Sequence, residues 1–186
     1  MKKHDRPYVC PAELSGTLDN VLRRLVHKPE KILAPYIKEG MTVLDLGCGP
    51  GYFTAELASL VGKSGKIIAA DIQQKMLDKM TRKISRTDLG KRVEAHLCQA
   101  DTIGITKKVD FVLAFWMVHE VPDQRQTFDE LKLLLNPGGK ILIIEPKIHV
   151  TRGSFSKMIS MLESAGFKIT EKPKISISRA VLLTPA

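Results

Sequence analysis

The sequence predicts an α/β fold in which helices surround a mainly parallel sheet. The chain has 186 residues, of which 44% are hydrophobic and 26% charged, as in one globular domain with a sizeable core. From residue 41 onward, short runs rich in β-branched residues alternate with longer amphipathic segments. That alternation is typical of βα units. We therefore expect a single domain over residues 1–186.

Five strands and three helices are predicted in the central part of the chain. The strands cover residues 41–46, 66–71, 92–98, 109–115 and 140–145, and the helices lie near 51–61, 73–86 and 123–135. Asp123, with Gln126 three residues later, is typical of a helix N-terminus. The segment "NPGG", residues 136–139, is expected to end the helix that begins there.

The two ends of the chain complete the predicted fold. Residues 154–167 form a helix that stops at Gly166, and the strands "FKITEK" and "SISRAVLL" follow as an antiparallel hairpin. Two amphipathic helices are predicted near 11–27 and 29–38, with Pro29 beginning the second.

Composition restricts the class of protein. The amino terminus lacks the apolar stretch of a secretory signal, and no window has 18 uncharged apolar residues, so we expect a soluble cytoplasmic protein without a membrane span. Three cysteines (Cys10, Cys48 and Cys98) without a CxxC pair argue against a disulfide framework and a structural zinc site, and we predict no metal.

The formal net charge of +9 lies mostly at the two ends of the chain. Residues 146–186 contain seven lysines and arginines against two acidic residues. Such an excess attracts an anionic substrate, a nucleic acid or an acidic partner, although solvated charge that maintains solubility is the more common explanation.

The segment "VLDLGCGPGYFT", residues 43–54, carries the strongest functional signal. A buried strand runs into Gly47, Gly49 and Gly51 and then directly into a helix, so a ligand can approach the backbone closely. The dinucleotide fingerprint GxGxxG would require glycine at position 52, where this chain has Tyr52. A nicotinamide dehydrogenase is therefore disfavoured. Alone, the loop also fits a tight connection between a strand and a helix.

Acidic residues stand at the ends of three neighbouring strands. Asp45 precedes the glycine loop, Asp71 ends the second strand and Asp101 follows the third. From its position, Asp71 can accept hydrogen bonds from both hydroxyls of a ribose, and Asp101 can accept one from an adenine edge. Three carboxylates at one edge repel each other unless a ligand or hydrogen bonds use them, and a cationic ligand suits them better than a pyrophosphate.

Five segments together resemble the class I S-adenosylmethionine-dependent methyltransferases. They are "VLDLGCGPGYFT", "AADIQQKML", "CQAD", "VDFVLAFWMVHEVPD" and "LNPGGKILIIEPK", in the usual order and spacing over residues 41–146. The resemblance implies a three-layer Rossmann-like fold with a seven-stranded sheet of order 3-2-1-4-5-7-6 and strand 7 antiparallel. It implies S-adenosylmethionine as the cofactor, bound by a core over residues 41–145 and followed by a carboxyl-terminal helix and hairpin over 146–186. The helices predicted in residues 1–40 are expected to cover the cofactor as a lid or cap, with a solvent-facing helical layer as the alternative.

The resemblance also implies roles for individual residues around the cofactor. Asp45 and the glycine loop would hold the methionine portion, and the end of the fourth strand would lie near the methionine amino group. Asp71 would bind the ribose. Ile72 would cover one adenine face, while Asp101 and the Thr102 backbone would bind the adenine edge. The full implied set is Asp45, Gly47, Cys48, Gly49, Gly51, Asp71, Ile72, Asp101, Thr102, Ala114 and Phe115. From the residues alone, Asp101 also fits a turn cap, Ile72 fits the core of the next helix, and Asp45 fits a role in ordering the loop.

His119 is the candidate catalytic base. Neutral histidine has a suitable basicity near pH 7 for a hydroxyl acceptor, and "MVHEVPD" is similar to the His-Asp-Trp segment of small-molecule O-methyltransferases. The chain departs from that segment at Glu120 and Val121, which leaves the role of its acidic part open. In the structural alternative, His119 packs in a turn while Glu120 faces the amino terminus of the next helix.

Further side chains are candidates for the acceptor site. Glu145 ends the fifth strand and is a second catalytic candidate, through shaping the site. The candidates to line an apolar acceptor pocket are Tyr8, Phe115, Trp116 and Met117, although a lone tryptophan after a buried strand is more often core. His149 and Arg152 follow in a loop.

The predicted function is S-adenosylmethionine-dependent methylation of a small molecule at oxygen, with carbon and nitrogen as alternatives. The basic ends, with Lys172 and Lys174 near the final hairpin, keep a nucleic-acid methyltransferase as a second hypothesis. A protein that binds the cofactor without turnover is a third. The oligomeric state does not follow from the sequence.

Overall fold

A seven-stranded sheet with helices on both faces forms the centre of the molecule. The computed structural model describes residues 27–186. The strands are β1 (Thr42–Leu46), β2 (Lys66–Asp71), β3 (Val93–Leu97), β4 (Val109–Phe115), β5 (Leu135–Pro146), β6 (Phe167–Glu171) and β7 (Ser178–Pro185). They lie in the order β3-β2-β1-β4-β5-β7-β6. β7 is antiparallel to β5 and β6, and the other described pairs are parallel. The predicted fold class, strand order and hairpin are confirmed.

Five α-helices in the described range pack on this sheet. They are α1 (Pro29–Leu33), α2 (Thr54–Leu60), α3 (Gln74–Ile84), α4 (Gln124–Leu134) and α5 (Arg152–Ser164). Two 3₁₀ turns, Asp88–Arg92 and Val118–Glu120, connect strands to their neighbours. The predicted cap of α4 is present, since the Asp123 side chain accepts a hydrogen bond from the Gln126 backbone N–H at 2.9 Å.

The alternation of side chains along the strands divides the core between two faces of the sheet. Val112 and Ala114 of β4 pack with α4 and α5, whereas Phe111 and Leu113 of the same strand pack with α1 and α2. Both sets are almost completely buried. Central strands buried on both faces explain the nearly continuous apolar runs in the sequence.

The fifth strand begins earlier than predicted. The sequence predicted it over 140–145 after a helix reaching 135, but α4 ends at Leu134 and β5 starts at Leu135. Leu135 pairs with Val109, and Lys140 pairs with Phe111, so the "NPGG" segment bulges opposite Asp110. Asp110 holds the bulge by accepting a hydrogen bond from the Asn136 amide at 2.7 Å. The loop therefore interrupts a strand that has already begun.

The amino-terminal part of the described chain is less helical than predicted. Pro29 begins α1 as expected, but this helix ends at Leu33 and not near residue 38. The helix predicted near 11–27 lies almost entirely outside the described residues. In residues 27–186, the longest helix has 13 residues, and none is long and apolar enough to cross a membrane.

Candidate active site

The candidate site lies where the carboxyl ends of β1, β2, β4 and β5 meet. The chain passes from β1 outward to β2 and β3, and returns to the other side of β1 with β4. Such a reversal leaves a crevice in which ligands of open α/β sheets bind. Because β7 is antiparallel, its first residues reach the same edge, with Ser178 opposite Pro146.

The three positions in the loop after β1 require glycine for different structural reasons. All have positive φ angles, of 69° at Gly47, 54° at Gly49 and 79° at Gly51. A Cβ at Gly51 would lie 2.5 Å from Cγ of Met80, and one at Gly47 would lie 2.8 Å from Met117. A Cβ at Gly49 would meet nothing within 4 Å. Packing therefore requires two of the glycines, while the third borders open space.

Asp45 lies beneath this loop and is buried, with 2% of its surface exposed. The Thr54 hydroxyl at the start of α2 donates a hydrogen bond to its carboxylate at 2.6 Å. Burial raises the pKa of Asp45 to about 7, the Thr54 hydrogen bond opposes this rise, and the charge of Asp71 adds to it. The side chain thus ties β1 to α2, which fits the loop-ordering alternative, and its contact with a cofactor remains a prediction.

Asp71 connects the second strand to the glycine loop. Its Oδ2 accepts a hydrogen bond from the Gly49 N–H at 2.9 Å, and its Oδ1 accepts one from the Gln73 N–H at 2.8 Å. Burial raises the pKa of this carboxyl, while these backbone hydrogen bonds lower it. Each carboxylate oxygen can accept more than one hydrogen bond, so both retain capacity for ribose hydroxyls.

The residues predicted around the adenine differ in how exposed they are and in how they are hydrogen-bonded. Ile72 is 42% exposed, so the alternative that it belongs to the core of the next helix is wrong. Asp101 is exposed, and its backbone carbonyl accepts a hydrogen bond from the Gln126 side chain at 2.6 Å. Thr102 is held by Glu130, whose carboxylate accepts hydrogen bonds from the Thr102 hydroxyl at 3.0 Å and the Ile103 N–H at 2.8 Å.

Three other predicted cofactor residues are mainly buried. Cys48 is 7% exposed, and burial raises the pKa of its thiol, which keeps the thiol protonated and unreactive. Ala114 is fully buried, and the Phe115 ring packs 4.3 Å, centre to centre, from Phe53. Any contact of Ala114 or Phe115 with a cofactor would therefore come mainly from the backbone.

Trp116 turns the chain away from β4 with an unusual backbone conformation. Its φ of 56° is in the left-handed region, which is rare for a bulky residue and is concentrated at functional sites. Its N–H donates to the Ile144 carbonyl at 2.7 Å, and its indole N–H donates to the Ser178 hydroxyl at 3.0 Å. Ser178 was not singled out in the sequence. The conformation directs the following residues over the glycine loop, where Met117 covers Gly47.

His119 forms a hydrogen-bonded pair with Glu145. The Nδ1 atom of His119 lies 2.5 Å from Oε2 of Glu145, which is completely buried at the end of β5. The other carboxylate oxygen accepts the Val118 N–H at 3.0 Å. In a neutral imidazole, donation from Nδ1 to the Glu145 carboxylate leaves the lone pair on Nε2. The contacts of Glu145 are thus with the Val118 backbone and His119, and its predicted part in the acceptor site remains a prediction.

The surroundings of His119 suit a proton acceptor. Burial lowers its pKa, but the hydrogen bond and charge of Glu145, with a smaller contribution from Glu120, outweigh burial and leave the pKa raised. The Glu120 carboxylate lies 4.0 Å from Nε2, and the His149 ring stacks with its centre 5.8 Å from that of His119. About a quarter of the His119 side chain is exposed. Glu120, where the chain differs from the His-Asp-Trp segment, therefore places a second carboxylate beside the histidine.

Some predicted acceptor residues are not brought into this group. Arg152 is exposed at the first position of α5. Tyr8 lies outside the described residues. Conversely, Thr54, Ser178 and Arg179 belong to the site region although the sequence analysis did not select them. The only sequence signal was a polar residue at the start of a buried helix or strand.

The match to known families agrees with this architecture. A profile of the family described as methyltransferase domain matches residues 37–174, well over half of the chain. The chain belongs to the class I S-adenosylmethionine-dependent methyltransferases. A solved structure of an S-adenosylmethionine-dependent methyltransferase from Aquifex aeolicus has a TM-score of 0.85 and 28% sequence identity, over 95% of this chain and 99% of that one.

Two curated relatives match a shorter segment of this methyltransferase. The demethylmenaquinone methyltransferase of Lactobacillus johnsonii is 38% identical over 112 residues, 59% of this chain and 45% of that protein. The ubiquinone/menaquinone biosynthesis C-methyltransferase UbiE of Escherichia coli is 30% identical over 110 residues, 59% of this chain and 44% of that protein. The matched segment thus spans about half the length of these relatives.

The residues of this methyltransferase fit the cofactor that its family uses. Gly49 borders open space at the carboxyl edge, Asp71 retains acceptor capacity beside it, and Ile72 presents an exposed apolar surface next to Asp71. A ligand that carries a ribose and an apolar ring would place the ribose at Asp71 and the ring against Ile72. The individual contacts to S-adenosylmethionine remain predictions.

Proposed function

We propose that this methyltransferase methylates a small molecule that carries an ionisable hydroxyl group, with His119 as the base. The observation that carries the proposal is the His119–Glu145 hydrogen bond at the edge where β4 and β5 end. A general base must lie within hydrogen-bond reach of the proton it removes and must be held in one tautomer. Glu145 supplies the second condition because it fixes the proton on Nδ1.

Methyl transfer requires little chemistry from the protein beyond alignment and proton removal. When bound, S-adenosylmethionine supplies a methyl group on a positively charged sulfur, which leaves as a neutral thioether. The glycine loop and Asp71 are proposed to hold this cofactor, with Asp45 and Thr54 fixing the loop from below. Asp101, Thr102 and Ile72 are proposed to bind the adenine.

The proton leaves the acceptor before or as the new bond forms. His119 Nε2 accepts it from the hydroxyl, and the buried Glu145 carboxylate stabilises the resulting imidazolium. Attack by the oxygen gives an ether, which is our first candidate product. Attack by a ring carbon conjugated with the oxygen gives a C-methylated product, and the C-methyltransferase name of one relative favours this second candidate.

Residues 1–40 are proposed to cover the site as a cap. His27 is buried, and its ring packs edge-on against Phe115 and Trp116, with 5.2 Å between ring centres in each case. Its backbone carbonyl accepts a hydrogen bond from the Tyr52 hydroxyl at 2.8 Å. The described end of this segment therefore lies against both β4 and the glycine loop.

The proposal is tested by comparing cofactor binding with methyl transfer. Calorimetry should show binding of S-adenosylhomocysteine, and labelled S-adenosylmethionine should methylate members of a panel of phenols, catechols and hydroxyquinols. His119→Ala should lower kcat roughly 10²- to 10⁴-fold, as removal of a general base does, while cofactor affinity stays within about twofold.

The matched control is Glu120→Gln, which removes a charge beside His119 without breaking the Glu145 contact. This variant should retain most of the turnover. Full turnover by His119→Ala would reject the base, and absence of cofactor binding by the wild-type protein would reject the enzyme assignment.

A further inference from the structure

Arg179 occupies a place in the active edge that the proposed mechanism does not use. It is the second residue of β7 and pairs directly with Glu145 across the antiparallel ladder. Directly opposed residues of antiparallel strands point to the same face of the sheet. Arg179 therefore lies on the same face as Glu145, the residue that holds His119.

Arg179 is partly buried, and its guanidinium has a buried donor without an acceptor. That donor is the Nη1 atom, which has no hydrogen-bond partner among the described residues. The oxygens of the opposing Glu145 contact the Val118 N–H and His119, and neither oxygen is a partner of the buried Arg179 Nη1. An arginine is permanently charged and presents five N–H donors, so a buried donor without a partner calls for an explanation.

The edge around Arg179 is positively charged. Lys147 follows β5, while Lys172 and Lys174 lie in the connection between β6 and β7, and all three are exposed. One neighbouring acid, Glu171, accepts a hydrogen bond from the Tyr36 hydroxyl at 3.3 Å. The positive excess that the sequence shows in residues 146–186 is thus partly gathered at this end of the sheet. Such a rim favours the approach of a small anion.

We propose that Arg179 binds an anionic group of the methyl acceptor, a carboxylate or a phosphate, and so positions its hydroxyl near His119. The planar guanidinium matches both anions with two parallel hydrogen bonds. Neighbouring strands lie roughly 5 Å apart, so one small molecule can reach from Arg179 to the histidine held by Glu145. This inference deepens the proposed function and rests on it for the role of the bound molecule.

Isothermal titration calorimetry measures anion binding directly and needs no chromophore near Arg179. Benzoate and phenyl phosphate are the two anionic probes, and benzamide is the neutral probe of similar shape to benzoate. The titrations use the full chain at 150 mM sodium chloride, without cofactor, so that they do not depend on turnover.

Saturable heats of binding are expected with benzoate, phenyl phosphate or both, and not with benzamide. Arg179→Gln should lower the affinity for the anion about tenfold or more, since charge-assisted hydrogen bonds to the anion are lost. Arg179→Lys keeps the charge but not the planar donors, so its affinity should lie between those of the wild type and Arg179→Gln. The matched control is Lys168→Gln, because Lys168 is exposed and pairs with Thr184, far along β7 from Arg179.

Several results would overturn the inference. These are no saturable response to either anion, an equal response to benzamide, an unchanged response in Arg179→Gln, or an equal loss in Lys168→Gln. Displacement of the anion by a single-stranded RNA oligonucleotide with higher affinity would assign the donors to a nucleic-acid backbone. Because none of these titrations needs methyl transfer, a failed anion site is distinguishable from a failed enzyme assignment.

Discussion

The two halves of the proposed active edge, a cofactor side and an acceptor side, are built on different principles. On the cofactor side, Asp45, the glycine loop, Thr54 and Asp71 come from one stretch of 27 residues and are joined by hydrogen bonds to the backbone and to each other. On the acceptor side, His119, Glu145 and Arg179 come from three separate segments. The first half is a local motif, whereas the second exists only once β4, β5 and β7 are assembled.

The electrostatics of the halves differ as well. Burial raises the pKa of both Asp45 and Asp71 on the cofactor side. On the acceptor side a buried carboxylate is matched by a histidine with a raised pKa, next to exposed lysines. A ligand that carries a positive charge suits the first half, and an acceptor that loses a proton or carries an anion suits the second.

Substitution of the loop glycines should affect the cofactor half most strongly. Gly51→Ala brings a Cβ to 2.5 Å from Met80 in a left-handed conformation, so we expect a loss of about 2–5 kcal/mol in the free energy of unfolding. Gly49→Ala meets no atom, so only backbone strain of about 1–2 kcal/mol is expected. Its affinity for S-adenosylhomocysteine should nevertheless fall at least about tenfold, because the cofactor is proposed to fill that space.

Urea unfolding and calorimetry separate these two effects. If Gly49→Ala bound the cofactor as tightly as the wild-type protein, the cofactor would lie away from the loop. The proposed difference between the two halves would then be removed.

Glu145→Gln should change the pH dependence of the acceptor half. His119 must be neutral to act as a base, so wild-type kcat should rise with pH through a pKa above the ordinary 6.5. Loss of the Glu145 charge lowers this pKa, moves the acid limb to lower pH and reduces kcat by about ten- to a hundredfold. Glu120→Gln should shift the limb less, because Glu120 lies 4.0 Å from the imidazole.

The same pair makes stability depend on pH. Because the folded pKa of His119 is raised, the stabilisation from Glu145 is complete below the ordinary histidine value and is lost as pH rises through the raised pKa. Unfolding measured between pH 6 and pH 9 should show a larger loss of stability in the wild-type protein than in Glu145→Gln, which keeps only the loss that Asp45 contributes. If the acid limb of the kcat profile stayed at the same pH in Glu145→Gln, that result would contradict the pairing of His119 with Glu145.

Asp45→Asn should stabilise the protein while weakening the cofactor half. The pKa of Asp45 is raised from 3.8 to about 7, so its contribution to stability falls as pH rises through this window. Asparagine does not ionise but can still accept the Thr54 hydrogen bond. The thermal midpoint of the variant should exceed that of the wild type at pH 8 and approach it at pH 4, with lower cofactor affinity. An advantage that does not change with pH would contradict the shifted pKa.

Loss of a helix cap should give the smallest effect and a reference for both halves. Asp123→Ala removes the hydrogen bond to the Gln126 N–H, which should cost about 1 kcal/mol of stability. Thr151→Ala removes the corresponding bond to the Ser154 N–H at 3.1 Å in α5. Neither should change cofactor affinity or the acid limb of kcat. If either does, the halves are coupled through the helices that cover them.

The predicted elements agree with the structure where local pattern and tertiary packing act together. The bounds of β2 and β4 are the predicted ones, because an apolar run between turn residues has few other packings. β5 differs, because its early start depends on pairing with Val109, which is remote in sequence. For the same reason the exposure of Ile72 and the direct pairing of Glu145 with Arg179 were absent from the sequence patterns.

The sequence by itself determined the alternation of strands and helices, the position of the glycine loop and the place of His119 after β4, since each depends on spacing within a short segment. The strand order came from the resemblance to a family. Only the tertiary structure decided that Glu145 pairs with His119, that Thr54 binds the buried Asp45, and that Arg179 pairs with Glu145. The physical reason is strand order. Antiparallel β7 brings its first residues beside the last residues of β5, and no local pattern records which side chains then face each other.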